Sequence, residues 1–323
     1  MAKRSLKPLT HRYARTKQQR ATKRLVRGID REERPFPMPD VTIDDLPKAK
    51  SHRPGKKKKP ASIPAAPTRA EGVLPGTMPT AASGFQADET ELVPDIQQYP
   101  HCAVGKMVFF PRSGAPLVGT GWIVGRRSFV TAAHCLFDRT TADFFDNITL
   151  TFGFEGTGTG ASFSVVESAI HPFYKTRPGN ERFRWDIGVG YVDQDLVKDF
   201  GSIGYDASGR IEDVNVEAVG YPANRRPLDP SLNNGFGDFE RYDFNGQSMW
   251  YSLGDYLGMS ADRHTMANEM TGGCSGGPWL QNDVAVGLNS HRLKPHDNRM
   301  FSPVFDQDFL LLIDWLIYEG KFS

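Results

Sequence analysis

The sequence predicts an all-β domain of one or two antiparallel barrels, closed by a single C-terminal helix and preceded by a long basic arm. Three observations carry that prediction. From about Tyr99 onward, short apolar runs are separated by Gly, Asn, Asp and Pro, one late segment has a helical period, and the first hundred residues have no sustained hydrophobic period.

The strand candidates, in order, are 103–110, 119–124, 128–132, 148–154, 163–170, 187–193, 214–220, 247–251, 278–280 and 284–288. Segment 306–318 places Phe309, Leu310, Ile313, Leu316 and Ile317 on one face and reads as an amphipathic helix. Roughly 220 residues of short strands and one helix fit barrels. The Gly-Thr-Gly-Thr-Gly string at 156–160 lacks the Lys-Ser/Thr ending of a phosphate cradle and reads as a hairpin loop. Residues 1–98 are rich in Lys, Arg, Pro, Ala and Thr, too poor in apolar surface to offset their ordering entropy. They are expected to form a mostly disordered arm, with a short helix admissible at 15–26, ahead of a domain at 99–323.

The near-neutral total of 39 Lys+Arg against 38 Asp+Glu conceals an asymmetry. Residues 1–60 hold 19 basic and 6 acidic residues, a local charge of +13, and the remainder carries −12. Three cysteines are too few and too scattered for a disulfide scaffold or a zinc ribbon, so neither metal nor cofactor is expected. No window is apolar enough to span a bilayer, and no Sec-type signal is present. The cytoplasm is the default expectation, and other export routes stay open.

Three strings carry chemistry: Thr131-Ala132-Ala133-His134-Cys135, Trp185-Asp186-Ile187-Gly188-Val189, and Thr271-Gly272-Gly273-Cys274-Ser275-Gly276-Gly277-Pro278. A serine hydroxyl needs a neutral imidazole to take its proton, and the imidazole needs a carboxylate to fix its tautomer. His134, Asp186 and Ser275 supply those groups. A Gly-rich turn can aim two backbone N–H groups at an oxyanion, here those of Gly273 and Ser275.

In this order the strings resemble the trypsin/chymotrypsin-fold serine endopeptidases, nearest in style to the bacterial trypsin-like and glutamyl-endopeptidase (V8-like) branch. Supporting strings are Tyr99-Pro100 with Ala103-Val104-Gly105-Lys106, Gly119-Thr120-Gly121-Trp122-Ile123-Val124, and Gly220-Tyr221-Pro222. The resemblance covers roughly 99–318 and implies two six-stranded antiparallel barrels, chymotrypsin-like, with the site in the cleft between them. It also implies that Gly276, following Ser275, marks the serine and not Cys274 as nucleophile. Trypsin-type zymogens carry an Asp where Cys274 stands, so activation through an ion pair with a new N-terminus is not expected. Cys135 lacks its usual partner near Gly119; a Cys102–Cys135 bridge is one reading and three free thiols the default.

For specificity the resemblance places Glu269, six residues before Ser275, at the base of the first pocket, with Asn289, Ser290 and His291 in its wall. A carboxylate there favours Lys or Arg in the substrate, and a solvated loop residue is the competing reading. The Glu-specific branch has a histidine where Asn289 stands; His291 or Arg292 could supply positive charge if the register slips.

The arm, with its Lys56 to Lys59 run, reads most simply as a solvated tail. A pro-segment, a nuclear-import-like signal and a nonspecific handle for polyanions through residues 1–60 are the sharper readings. The leading expectation is a serine endopeptidase acting on proteins or peptides. A weak or latent protease fold used as a binding module is the alternative.

Overall fold

The computed structural model describes residues 8–13, 90–112, 116–156, 159–211, 215–223, 246–260, 262–267, 270, 272–291 and 299–322. The 15–26 helix, most of the arm, Glu269 and Arg292 lie outside them.

Two short strands come from the arm: β1 (Leu9–Arg12) and β2 (Thr90–Leu92). The first barrel follows with β3 (Val104–Phe110), β4 (Leu117–Gly125) and β5 (Ser128–Thr131). A small hairpin of β6 (Phe137–Asp138) and β7 (Asp143–Phe144) precedes β8 (Asp146–Phe152), β9 (Ala161–Ile170) and β10 (Gly188–Val192). Antiparallel pairing runs β9-β10-β5-β4-β3-β8, and β8 pairs back to β9, so the six strands close with no free edge. Alternating inward residues such as Trp122, Phe129, Leu150 and Val189 have no exposed surface and fill the interior.

The second sheet comprises β11 (Gly204–Tyr205), β12 (Asn215–Gly220), β13 (Trp250–Ser260), β14 (Arg263–Ala267), β15 (Pro278–Gln281), β16 (Val284–Leu288) and β17 (Arg299–Pro303). The order is β11-β16-β15-β12-β13-β14-β17, with β2 on β13; a bridge between His291, just beyond β16, and Phe301 ties β17 back to the chain leaving β16. Its core is sulfur-rich, gathering Met266, Met270, Cys274 and Met300 around Trp279. Asn282 and Asp283, both at positive φ, form the two-residue turn joining β15 to β16. That hairpin carries the chain from the serine turn back to Asn289 and Ser290.

The terminal helix is Gln307–Tyr318, capped by the Asp306 carboxylate accepting from Asp308 N–H. Phe309, Leu310, Ile313 and Leu316 are buried as expected, but Ile317 is half exposed and Trp315 is buried instead, because the buried face is wider than one stripe. No helix among the described residues is long and apolar enough to cross a membrane.

Three departures from the sequence expectation have physical reasons. The 247–251 strand starts at Trp250 and runs on to Ser260, where Gly254 lets β13 approach the Ala267 carbonyl of β14. The β14 and β17 strands went unpredicted because Arg263, His264 and Thr265 are polar yet buried, which erases the alternation. Within the arm, residues 8–13 join the folded body. Leu9–Arg12 pairs with Glu167–Ile170 of β9, Tyr13 is buried with its hydroxyl 2.8 Å from Ser168 Oγ, and Arg12 bonds Glu167 at 2.9 Å. Four residues among Lys and Arg are too few to show a strand period.

Candidate active site

The His134 string leaves β5 and turns through a single 3₁₀ turn, Ala133–Cys135, whose Ala133 and Cys135 are fully buried. Thr131 Oγ1 ties the end of β5 to the Thr120 carbonyl at 2.7 Å. Asp186 ends a longer 3₁₀ segment, Gly179–Trp185. The Trp185 indole donates to Asp308 Oδ2 of the terminal helix at 2.6 Å, so that helix anchors the approach to Asp186.

Asp186 has no exposed surface, and a buried carboxylate is costly unless its oxygens are paired. Three donors meet it. The backbone N–H of His134 reaches Oδ1 at 2.9 Å, His134 Nδ1 reaches Oδ2 at 2.8 Å, and Ser290 Oγ donates to Oδ2 at 2.6 Å. The His134 side chain is 29% exposed, leaving its Nε2 edge for chemistry. Burial works against the imidazolium, but Asp186, aided by Cys135, overcomes it and holds the His134 pKa well above the ordinary imidazole value.

The serine turn is fixed through its carbonyls. Gly272 O accepts from Ala223 N–H at 2.7 Å and Gly273 O from Thr120 Oγ1 at 2.8 Å. Cys274 O accepts from Gly277 N–H at 2.9 Å and Asn289 Nδ2 at 3.2 Å, and Ser275 O from Thr120 N–H at 2.8 Å. In a trans peptide the N–H points opposite to the preceding C=O, so the Gly273 and Ser275 amides face away from these partners. Among the described residues neither donates a hydrogen bond. Gly273 (φ +98°) and Gly276 (φ +87°) require positive φ, and a Cβ at either would collide with backbone oxygen, Tyr221 O or Thr120 O.

Ser275 is half-buried and its carbonyl lies 3.5 Å from Cys135 Sγ, which sets the serine turn against the histidine turn. Among the described residues no hydrogen bond joins the Ser275 hydroxyl to His134. Cys274 has no exposure, and its thiol lies 3.3 Å from Met270 Sδ in the second core. All three cysteines are free, so the Cys102–Cys135 bridge does not form; Cys102 Sγ instead faces the Phe200 carbonyl at 3.1 Å. A Cβ added at Gly119 would lie 2.9 Å from Cys135 Sγ, which locates the missing partner where the sequence suggested.

The residues assigned to the pocket wall separate. Asn289, 1% exposed, turns inward: Nδ2 donates to Val219 O at 3.1 Å and to Cys274 O, and Oδ1 accepts from Trp279 Nε1 at 2.9 Å. Ser290 serves Asp186, a role the sequence reading did not find because nothing local distinguishes one serine after a strand from another. His291 is sandwiched between Phe183 and Phe301 and meets Arg263 Nη1 at 2.8 Å through Nε2. Its pKa is pushed down to about 3, chiefly by burial, so it supplies no positive charge to a substrate carboxylate.

No family model matches the chain. Among curated proteins, a glutamyl endopeptidase from Bacillus licheniformis is 25% identical over 161 residues, which are 49% of this chain and 48% of that protein; the chain thus spans about half the length of that relative. Among solved structures, a Glu endopeptidase in complex with MPD is 17% identical with a TM-score of 0.57, covering 72% of this chain and 96% of that one. A thermostable serine protease from an extremophilic microorganism is 20% identical with a TM-score of 0.55, covering 66% and 96%. Closed barrel, second sheet, terminal helix and these likenesses converge: the chain has the trypsin-like serine protease fold.

Proposed function

We propose that this chain is a serine endopeptidase. Ser275 attacks the peptide carbonyl, His134 takes its proton and returns it to the leaving amine, and Asp186 holds the imidazole with Nδ1 protonated. The Gly273 and Ser275 amides bind the oxyanion, and water then hydrolyses the acyl-enzyme. The observation that carries this reading is the unexposed Asp186, which accepts both the backbone and the ring N–H of His134 and so fixes the tautomer a base needs. The undonated amides of the serine turn support it, and the glutamyl endopeptidase relative agrees with the class of reaction.

Fluorophosphonate labelling of the full-length protein, with the modified residue mapped by mass spectrometry, tests the assignment. Labelling at Ser275 that disappears in Ser275→Ala is expected. Labelling elsewhere, or none on the full chain and on an arm-cleaved form, rejects it. The same preparation, offered Lys/Arg and Glu fluorogenic peptides, is expected to prefer Lys/Arg if Glu269 lines the pocket; preference for Glu removes that role.

A further inference from the structure

We infer that His291 is a positioning residue for the proposed triad: pinned by Arg263, it donates to Ser290 and thereby directs the Ser290 hydroxyl onto Asp186. This rests on the serine endopeptidase reading and extends it to two residues, Arg263 and His291, that a Ser-His-Asp triad does not itself require.

The direction of every proton in the chain follows from what each group is able to donate. A guanidinium has five N–H donors and no acceptor, so His291 Nε2, 2.8 Å from Arg263 Nη1, must accept. A neutral imidazole that accepts at Nε2 carries its hydrogen on Nδ1. That atom lies 2.9 Å from Ser290 Oγ, which therefore receives the hydrogen bond. The hydroxyl proton is left for Asp186 Oδ2 at 2.6 Å, the same oxygen that His134 Nδ1 reaches at 2.8 Å. Because Arg263 cannot accept, the order Arg263, His291, Ser290, Asp186 has one polarity.

The ring is also fixed in its plane. Phe183, from the segment leading to Asp186, stacks on it at 3.8 Å and 12°, and Phe301 of β17 at 5.1 Å and 20°. Arg263 is 7% exposed, and its guanidinium sits 5.2 Å over the Phe301 ring. The charged and titratable groups facing His291 are Asp186, Arg263, His134 and Arg182; Asp186 and Cys135 face His134, and the Tyr174 phenol faces Asp186. Burial, with Arg263, His134 and Arg182 opposing Asp186, keeps His291 neutral, so the relay holds one arrangement while His134 titrates.

A donated hydroxyl backed by a cation draws charge density from Asp186 Oδ2, and the carboxylate then holds the His134 proton less tightly. Without the relay the Ser290 hydroxyl is free to turn, and the His134 pKa rises further.

Nitrogen-15 NMR of the wild-type imidazoles reads the tautomer directly. His291 is expected as the neutral Nδ1–H form between about pH 5 and 8; an Nε2–H form, or titration in that window, overturns the inference. In His291→Phe, which keeps the aromatic stack, and in Arg263→Met, the His134 titration midpoint is expected to rise by about half a unit or more. Arg263→Lys, which keeps a cationic donor, should restore the wild-type midpoint. A purely structural role would lower the melting temperature and leave the His134 midpoint in place, and that result also overturns it. These readouts need no turnover: absence of labelling at Ser275 would sink the endopeptidase reading, whereas an unmoved midpoint would sink the relay alone.

Discussion

His134 links the proposed activity to pH in two opposite senses. The base must be neutral, and Asp186 holds its pKa well above the ordinary value of about 6.5, so kcat/KM should climb with pH and reach half-maximum above that value. A raised folded-state pKa also stabilises the fold. That contribution is complete below the unfolded pKa and is lost as pH rises through the folded one, so it declines over the range where activity grows. A pH–rate profile beside thermal melts at the same pH values checks both signs. Asn289 makes a prediction of another kind. Its buried amide bonds Val219, Cys274 and Trp279, so Asn289→Ala leaves the Trp279 indole N–H without its acceptor and takes a donor from the Val219 and Cys274 carbonyls, the latter keeping only Gly277 N–H. Chemical denaturation should show a loss of about 3 kcal/mol, and because Cys274 O belongs to the serine turn, Ser275 labelling should slow with it.

At the scale of elements, the β4 strand and the His134 turn are held together without a covalent tie. Gly119 on β4 faces Cys135 so closely that a Cβ there would sit 2.9 Å from the thiol. Gly119→Cys is therefore expected to oxidise to a 119–135 disulfide, seen by non-reducing mass mapping, and to add about 3 kcal/mol by closing a short loop. Pairing of the new cysteine with Cys102 or Cys274, or no pairing, would contradict the geometry. The strands of the first barrel were legible in the sequence because each has one inward row of Val, Ile, Leu and Phe. The β14 and β17 strands were not: their buried positions include Arg263, His264 and Ser302, polar side chains whose partners His291, Tyr256 and Leu288 lie on neighbouring strands or the turn beyond them, so no apolar row marks these strands.

Across the whole molecule, the arm is tied at both ends. Residues 8–13 add a strand to the first barrel and residues 90–92 add one to the second sheet. A cut between them turns the β1 contact from an intramolecular into an intermolecular one, and so small an interface loses most of its occupancy at micromolar concentration. Nicking near the Lys56 to Lys59 run should therefore lower the melting temperature as much as deleting residues 1–13. Tyr13→Ala, which removes a buried ring, should cost about 3 kcal/mol, roughly 6–12 °C. Equal melting of nicked, deleted and intact protein would show that β1 contributes nothing. The arm was read as a charged tail because its composition is that of one; its docking segments, residues 8–13 and 90–92, are visible only against β9 and β13.

Read by itself, the sequence determined the all-β class, the terminal helix, the barrel strands and the three strings bearing His134, Asp186 and Ser275, because these are written in local periodicity and in short spacings. The tertiary structure alone decided where Ser290, Asn289, His291 and Arg263 point, which cysteines stay free, and that β1 belongs to the barrel. Those outcomes depend on which buried donor meets which acceptor in the folded chain, from Arg263 and His291 at a sequence separation of 28 to Ser290 and Asp186 at 104. No local pattern encodes such a meeting; the closure of the strands brings the partners together, and burial makes each unmade hydrogen bond costly.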